Sequence, residues 1–136
     1  IYALDLEPDM IRMTREAAGS QGLDNVQTML HDFMAEGSGL VDESVDYVML
    51  FNILHLEDPK YLLKEAWRIL KKEGRLGIIH WNDDPKTPRG PSMDIRPRMA
   101  QCIQWAESVG FRNSVPHDLK PYHYGIVLKK QAGLFQ

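Results

Sequence analysis

The nearly continuous apolar run VDYVMLF, at residues 45–51, constrains the fold more than any other stretch of this sequence. A strand with one face in water alternates apolar and polar residues, whereas a strand covered on both faces does not. The run is therefore typical of a strand in a parallel sheet that is covered on both sides.

Apolar segments bounded by turn residues predict six strands, at residues 1–5, 26–30, 45–51, 75–81, 113–119 and 123–130. Helical spacing predicts a helix from about Pro8 to Gln21, a short helix or loop over 33–44, and a helix that begins near Met99 and ends at Gly110. Strands and helices therefore alternate along most of the chain.

Residues 57–74 carry a complete set of helix signals. Asp58 is the expected cap, Pro59 takes the first position, Lys71 and Lys72 fall in the last turn, and Gly74 follows the helix. The whole order predicts an α/β, Rossmann-like three-layer sandwich, with a mostly parallel sheet and an antiparallel C-terminal hairpin. A length of 136 residues fits one domain, 1–136.

Composition narrows the class of protein. The 16 basic and 19 acidic residues give a net charge of -3, which argues against nucleic acid as a partner. The single cysteine, Cys102, has no internal disulfide partner, and its place on an apolar helix stripe predicts a core residue. No run approaches the roughly 20 apolar residues of a membrane span, and the opening lacks a secretion signal, so we expect a cytoplasmic protein with no membrane partner.

Polar side chains follow four of the predicted strands, where ligands of open parallel sheets bind. Asp5 either accepts hydrogen bonds from the hydroxyls of a ribose or caps the helix that follows. Asp32 either meets an adenine amino group or caps the next turn. Position alone does not separate these alternatives.

Three runs of residues together resemble class I S-adenosylmethionine-dependent methyltransferases, especially the group that acts on small molecules. These runs are ALDLEPDMI, HDF and DESVDYVMLFNILHLEDPKYLLKEAWRILKKEGRLGIIHW. The resemblance covers residues 1–81 and continues more weakly through WAESVGF. It implies S-adenosylmethionine as the cofactor and a small-molecule acceptor as the partner.

The resemblance also implies which residues bind the donor. In the family pattern, Asp5 would bind the ribose hydroxyls and Asp32 the adenine amino group. The backbone N–H of Phe33 would donate to the adenine ring, and Leu6 and Met10 would supply apolar surface for the base. Phe51 and Asn52 would line the methionine part of the donor.

The chain departs from this family in one respect. The family's glycine-rich turn, GxGxG, occurs nowhere in the sequence. In the family strand order 3-2-1-4-5-7-6, Ile1 then falls in the second strand. We expect an N-terminal truncation, with roughly 30 to 50 residues of strand, turn and helix before Ile1.

If that segment is truly absent, two apolar strand edges lack partners. We then expect homodimerisation or strand exchange to cover them, weak donor binding and an inactive chain.

Catalytic and acceptor residues are less defined. His55 is the candidate catalytic base, although a histidine there equally caps the loop or packs beneath it. His80 fits a satisfied residue at a strand end. Trp81, Asn82 and Arg96 are candidates for the acceptor pocket, and the alternative for their loop is a solvated proline-rich connection. No spacing of His, Cys and carboxylates predicts a metal site.

Three functions fit these patterns. The first is methyl transfer from S-adenosylmethionine to a small molecule. An NAD-dependent oxidoreductase would share the acid at Asp5, but not Asp32 or the final hairpin. A methyltransferase-like scaffold or subunit without donor binding accounts for the missing glycine turn.

Overall fold

The computed structural model of the chain describes residues 1–131. Ten elements run in the predicted order. They are β1 (Tyr2–Asp5), α1 (Pro8–Ser20), β2 (Gln27–Leu30), α2 (Phe33–Glu36), β3 (Val45–Phe51), α3 (Pro59–Ile69), β4 (Leu70–Trp81), α4 (Met99–Val109), β5 (Arg112–Leu119) and β6 (His123–Lys129). Within residues 1–131, no helix has the length and apolar character needed to cross a membrane.

The first compact unit is Ile1–Gly39. Its strands β1 and β2 are parallel, with Tyr2 opposite Gln27 and Asp5 opposite Leu30. Helix α1, which Pro8 begins, packs against both strands and buries Ile11. Because parallel strands end at the same edge of a sheet, Asp5 and the residues after Leu30 share one edge of this unit.

The second compact unit begins at Leu40 and contains a four-stranded sheet in the order β3-β4-β6-β5. Strands β3 and β4 are parallel, whereas β6 is antiparallel to both β4 and β5. The antiparallel C-terminal hairpin is therefore confirmed. The division into two units leaves the single domain over residues 1–136 a prediction.

Within each unit, the strand order matches part of the order 3-2-1-4-5-7-6 that the resemblance implies, and the placement of Ile1 in the second strand of that order stays a prediction. The order β3-β4-β6-β5 is the one expected for the fourth, fifth, seventh and sixth family strands, and the pair β1-β2 is the one expected for the second and third. Among the described strands, β1 and β3 each pair with a single neighbour. Coverage of their other edges by a second copy stays a prediction.

The core of the second unit lies where α3 and α4 pack against each other and against the sheet. Cys102 on α4 is completely buried, which confirms it as a core residue. Burial raises the pKa of its thiol to about 11, so the group stays protonated and is a poor nucleophile. Its companions in the core are Leu62, Leu63, Ala66, Ile69, Leu76, Ile78, Ala106, Phe111, Ile126 and Leu128.

The predicted end of α3 was wrong. The helix stops at Ile69, and Lys71 and Lys72 lie in β4 rather than in a last helical turn. The reason is Leu70, which is fully buried, extended (φ -72, ψ 135) and paired with Val45 in the parallel ladder. Burial in the sheet outweighs the helix propensity of the segment.

Another residue caps the end of α3. The ammonium group of Lys130 donates to the carbonyls of Trp67 (2.6 Å) and Leu70 (2.7 Å) and lies 5.1 Å from the Trp67 ring centre. A cation at the C-terminus of a helix satisfies its last carbonyls and its dipole. The positive charge at the C-terminus of α3, which the sequence assigned to Lys71 and Lys72, is therefore supplied by Lys130.

Gly110 ends α4 at the predicted position. Its φ is +130°, a conformation that favours glycine, and an added Cβ would lie 2.9 Å from Cη2 of Trp67. Only a glycine lets the chain turn against this indole ring.

Candidate functional site

Two carboxylates lie at the strand ends of the first unit. One oxygen of Asp5, Oδ1, accepts the backbone N–H of Glu7 at 2.9 Å. Oδ1 of Asp32 accepts the backbone N–H of Ala35 at 3.1 Å and caps α2. Within residues 1–131, the second oxygen of each carboxylate has no hydrogen-bond partner. The alternative that Asp5 caps α1 was wrong, because the N-cap of that helix is Glu7 and Asp5 only closes the turn before it. Each carboxylate uses one oxygen for the fold and leaves one for a ligand.

Apolar side chains stand close in sequence to these carboxylates. Leu6 follows Asp5 directly and is 54% exposed, and Met10 in the first turns of α1 is 44% exposed. Phe33, half-buried, takes the first position of α2, where a backbone N–H has no acceptor within the helix. The first unit thus offers carboxylate acceptors, an amide donor and apolar surface.

The carboxyl edge of the second sheet begins with Phe51 and Asn52. Phe51 is 45% exposed at the end of β3. The backbone N–H of Asn52 donates to the carbonyl of Ile79 at 2.7 Å, and its φ of 55° turns the chain out of the strand. Asn tolerates this left-handed conformation better than most residues. The turn leads directly into the segment that carries His55.

A pair of histidines lies at this edge. Nδ1 of His55, in the loop between β3 and α3, is 3.1 Å from Nε2 of His80 in β4. The rings meet edge to face, with centres 5.3 Å apart. Nδ1 of His80 is 3.4 Å from the carbonyl oxygen of Trp81. His80 is thus bonded through both ring nitrogens, as expected of a satisfied residue at a strand end.

Burial sets the charge of this pair. His80 is completely buried, and desolvation lowers its pKa to about 4. Burial also lowers the pKa of the half-buried His55. Both rings are therefore neutral at pH 7, and a neutral imidazole has one N–H donor and one acceptor nitrogen.

Tyr124 supports the buried histidine from the other side. Its ring stacks on His80 with centres 6.4 Å apart, and its hydroxyl donates to the carbonyl of Pro97 at 2.8 Å. The same hydroxyl lies 3.3 Å from Sγ of Cys102. Desolvation raises the pKa of Tyr124, which keeps the hydroxyl a donor. Helix α4 and the loop before it are thereby tied to the histidine pair.

Arg96 holds the proline-rich loop that precedes α4. Its side chain is 8% exposed, and all five of its N–H donors are used. They go to the carbonyls of Asn82, Arg89 and Pro91 and to the hydroxyl of Thr87. Because all five N–H groups bond within the protein, none is left to bind an acceptor molecule. We therefore infer that Arg96 holds the shape of the loop and does not contact the acceptor molecule directly.

Trp81 and Asn82 end β4 at the same edge. The indole of Trp81 lies against the ring of His123, with centres 4.1 Å apart, and Gly90 approaches it so closely that an added Cβ would be 2.9 Å from Cγ. The backbone N–H of Asn82 donates to the carbonyl of Tyr122 at 2.7 Å. The loop and the hairpin therefore fix both residues.

The contact between His55 and His80 was missed from the sequence, although one signal pointed to it. Each residue lies near the carboxyl end of one of two adjacent parallel strands, and such ends meet at one sheet edge. Nothing in the sequence pattern marked Tyr124. In the described part of the chain, no three His, Cys, Asp or Glu side chains come together in a way that could hold a metal ion.

Comparisons with known proteins place the chain among methyltransferase-like proteins. A family model described as a methyltransferase domain matches residues 1–78. The mitochondrial 2-methoxy-6-polyprenyl-1,4-benzoquinol methylase of Arabidopsis thaliana is 34% identical over 77 residues, which are 55% of this chain and 27% of that protein. The chain thus spans about a quarter of the length of this curated relative.

Two solved structures share the fold. A SAM-dependent methyltransferase from Aquifex aeolicus has a TM-score of 0.81 at 24% identity, covering 94% of this chain and 67% of that chain. The [4+2]-cyclase SpnF has a TM-score of 0.81 at 14% identity, covering 98% and 66%. These likenesses show a Rossmann-like α/β fold, and the cyclase shows that this fold serves more than one chemistry.

Proposed function

The chain belongs to the methyltransferase-domain family, and from this premise we propose that it acts in the transfer of a methyl group from S-adenosylmethionine to a small-molecule acceptor. One observation carries the proposal. The first unit presents two carboxylates, Asp5 and Asp32, each with one oxygen engaged in the fold and one without a partner among the described residues. A nucleoside offers the matching donors in its ribose hydroxyls and its adenine amino group.

The residues of the first unit fit such a donor. The second oxygen of Asp5 accepts from the ribose hydroxyls, and that of Asp32 accepts from the adenine amino group. Leu6 and Met10 supply exposed apolar surface for the base, and the backbone N–H of Phe33 donates to a ring nitrogen. The assignment of Phe51 and Asn52 to the methionine part rests on the sequence resemblance alone and stays a prediction.

The acceptor in this proposal is a small molecule that meets Trp81 and Asn82. A half-buried indole beside an amide offers an apolar surface with a polar end, which suits a small organic ring. The net charge of -3 does not favour a polyanion. The Arabidopsis relative is named for a benzoquinol, which is also a small molecule.

Methyl transfer asks little covalent chemistry of the protein. The protein holds the donor and acceptor in line and, where the acceptor requires it, removes a proton. The short list of polar groups at the second sheet edge is consistent with this demand.

Calorimetric titration of the full chain with S-adenosylhomocysteine and with NAD tests the proposal. Binding of S-adenosylhomocysteine without binding of NAD supports it. Binding of NAD alone would replace it with the oxidoreductase function, since a strand-end acid serves either ribose. Binding of neither would leave a methyltransferase-like scaffold, the function that the missing GxGxG turn favours.

A further inference from the structure

We propose that His55 is the base that takes a proton from the acceptor, through its Nε2 atom, and that His80 is a positioning residue that fixes which nitrogen of His55 is free. This assignment rests on the proposed function and adds the class of acceptor to it. The reacting atom of the acceptor carries a weakly acidic proton, as a phenolic hydroxyl does. An unprotonated amine, which needs no base, falls outside this class.

The tautomer of His80 follows from its surroundings. A backbone carbonyl only accepts hydrogen bonds, so the nitrogen facing the carbonyl of Trp81, Nδ1 of His80, carries the proton. In a neutral ring the other nitrogen, Nε2, then has a lone pair and accepts.

The tautomer of His55 follows in turn. Its Nδ1 lies 3.1 Å from the accepting Nε2 of His80 and must donate. A neutral His55 with its proton on Nδ1 has a lone pair on Nε2. In the part of the chain that the structure describes, Nε2 of His55 has no hydrogen-bond partner and is not fully buried. This atom is open to a ligand.

The groups that face His80 keep it neutral. Desolvation is the main cause of the lowered pKa of His80 and outweighs the hydrogen bond to the carbonyl of Trp81, which acts in the opposite direction. Repulsion from His55, Arg96 and His123 adds smaller contributions that also disfavour a second proton on the ring. Tyr124 stacks on its face with a hydroxyl that remains protonated. The acceptor role of Nε2 in His80 therefore persists through the range in which a base at His55 would work.

The proton step balances without a further reactant. The bond between the acceptor atom and hydrogen breaks, its electron pair stays on the acceptor atom, and the proton binds to the lone pair of Nε2 of His55. S-adenosylmethionine, when bound, supplies a methyl group attached to a sulfonium sulfur. The electron pair on the acceptor atom forms a bond to this methyl carbon, the bond between that carbon and the sulfur breaks, and a neutral thioether leaves. Proton transfer by a positioned side chain contributes roughly 10²- to 10⁴-fold to a rate.

Nitrogen NMR of the full chain tests the tautomer directly, because ¹⁵N chemical shifts separate protonated from unprotonated ring nitrogens. The spectrum of a His55→Gln variant assigns the His55 signals, and the exposed His117 is the internal reference. At pH 7 we expect the proton on Nδ1 of His55 in the wild type. His80→Gln, whose side-chain oxygen can still accept, should keep that tautomer, whereas His80→Leu should give a mixture of both.

Titration of the same samples with S-adenosylhomocysteine separates two kinds of failure. Donor binding together with a wild-type proton on Nε2 of His55 would overturn the assignment and leave the proposed function intact. A chain with the expected tautomer that binds no donor would remove the proposed function and, with it, the role of His55 as a base. The wild-type spectrum decides the tautomer even if His80→Leu does not fold.

Discussion

Acidification should destabilise this protein through His80, which is fully buried as a neutral imidazole. Desolvation lowers its pKa in the folded state from 6.5 to about 4. Between these two values the unfolded chain binds a proton at this residue and the folded chain does not. Because the unfolded state then holds more protons, stability falls as the pH is lowered.

The size of the effect follows from the width of this window. Each pH unit below 6.5 costs about 1.4 kcal/mol for one proton, so His80 should cost about 2 kcal/mol at pH 5. The full loss, about 3 kcal/mol, is reached near pH 4, below which both states bind the proton. Above pH 6.5 both states are neutral at this residue, and the contribution vanishes.

Urea denaturation at pH 7 and pH 5, followed by circular dichroism, measures this loss. Wild type should lose about 2 kcal/mol more between the two pH values than His80→Gln, which does not titrate at this position. Comparison with this variant removes the contribution of the other ionisable groups to the pH dependence of stability. The substitution His117→Gln, at an exposed histidine, controls for the change of residue type itself. Equal losses in wild type and His80→Gln would show that His80 does not stay neutral in the fold.

Three further substitutions test the fold and the acceptor site. Gly110→Ala should cost about 1–3 kcal/mol in denaturation, because an added Cβ meets an indole at positive φ, whereas Gly19→Ala has open space and should be neutral or stabilising. Lys130→Met should cost about 1–3 kcal/mol by leaving helix carbonyls unpaired, and the exposed Lys64→Met should cost little; equal costs in urea would refute the cap. Trp81→Ala should change turnover or acceptor preference while S-adenosylhomocysteine affinity stays within about twofold; a large loss of donor affinity in a folded variant would contradict its assignment.

Elements with local signals were predictable from the sequence. The bounds of β3 match the apolar run at residues 45–51, and α4 stops at the glycine that marks its end. The Asp58 cap and Pro59 start of α3 are present, with the Asp58 side chain accepting from the N–H of Tyr61. These signals work because each acts within one or two turns of the chain.

Features that depend on distant partners were not predictable. The end of α3 is set by the pairing of Leu70 with Val45, and its cap comes from Lys130, 60 residues along the chain from Leu70. No periodicity within a single segment records such a contact. Burial of Leu70 in the sheet set the boundary between α3 and β4, because tertiary packing routinely overrides local helix propensity.

The candidate site divides in the same way. The position of Asp5 at a strand end could be predicted from the apolar run that precedes it. The hydrogen bonds of Arg96 could not, because they depend on how the loop over residues 82–95 folds to bring its carbonyl groups around one side chain. The pairing of His55 with His80 joins positions 25 residues apart. Residue types were readable from the sequence, but hydrogen-bond partners were not.

The most direct measurement of the central claim is the affinity of the full chain for S-adenosylhomocysteine with and without the Asp5 carboxylate. Hydrogen bonds to a charged group contribute about 1.5–3 kcal/mol, so calorimetry should show Asp5→Ala binding at least about tenfold more weakly than wild type. Asp24→Ala, an exposed acid of the same unit, should bind like wild type. Unchanged affinity in a folded Asp5→Ala, or an equal loss in both variants, would contradict the assignment of the ribose to Asp5 and the donor site built on it.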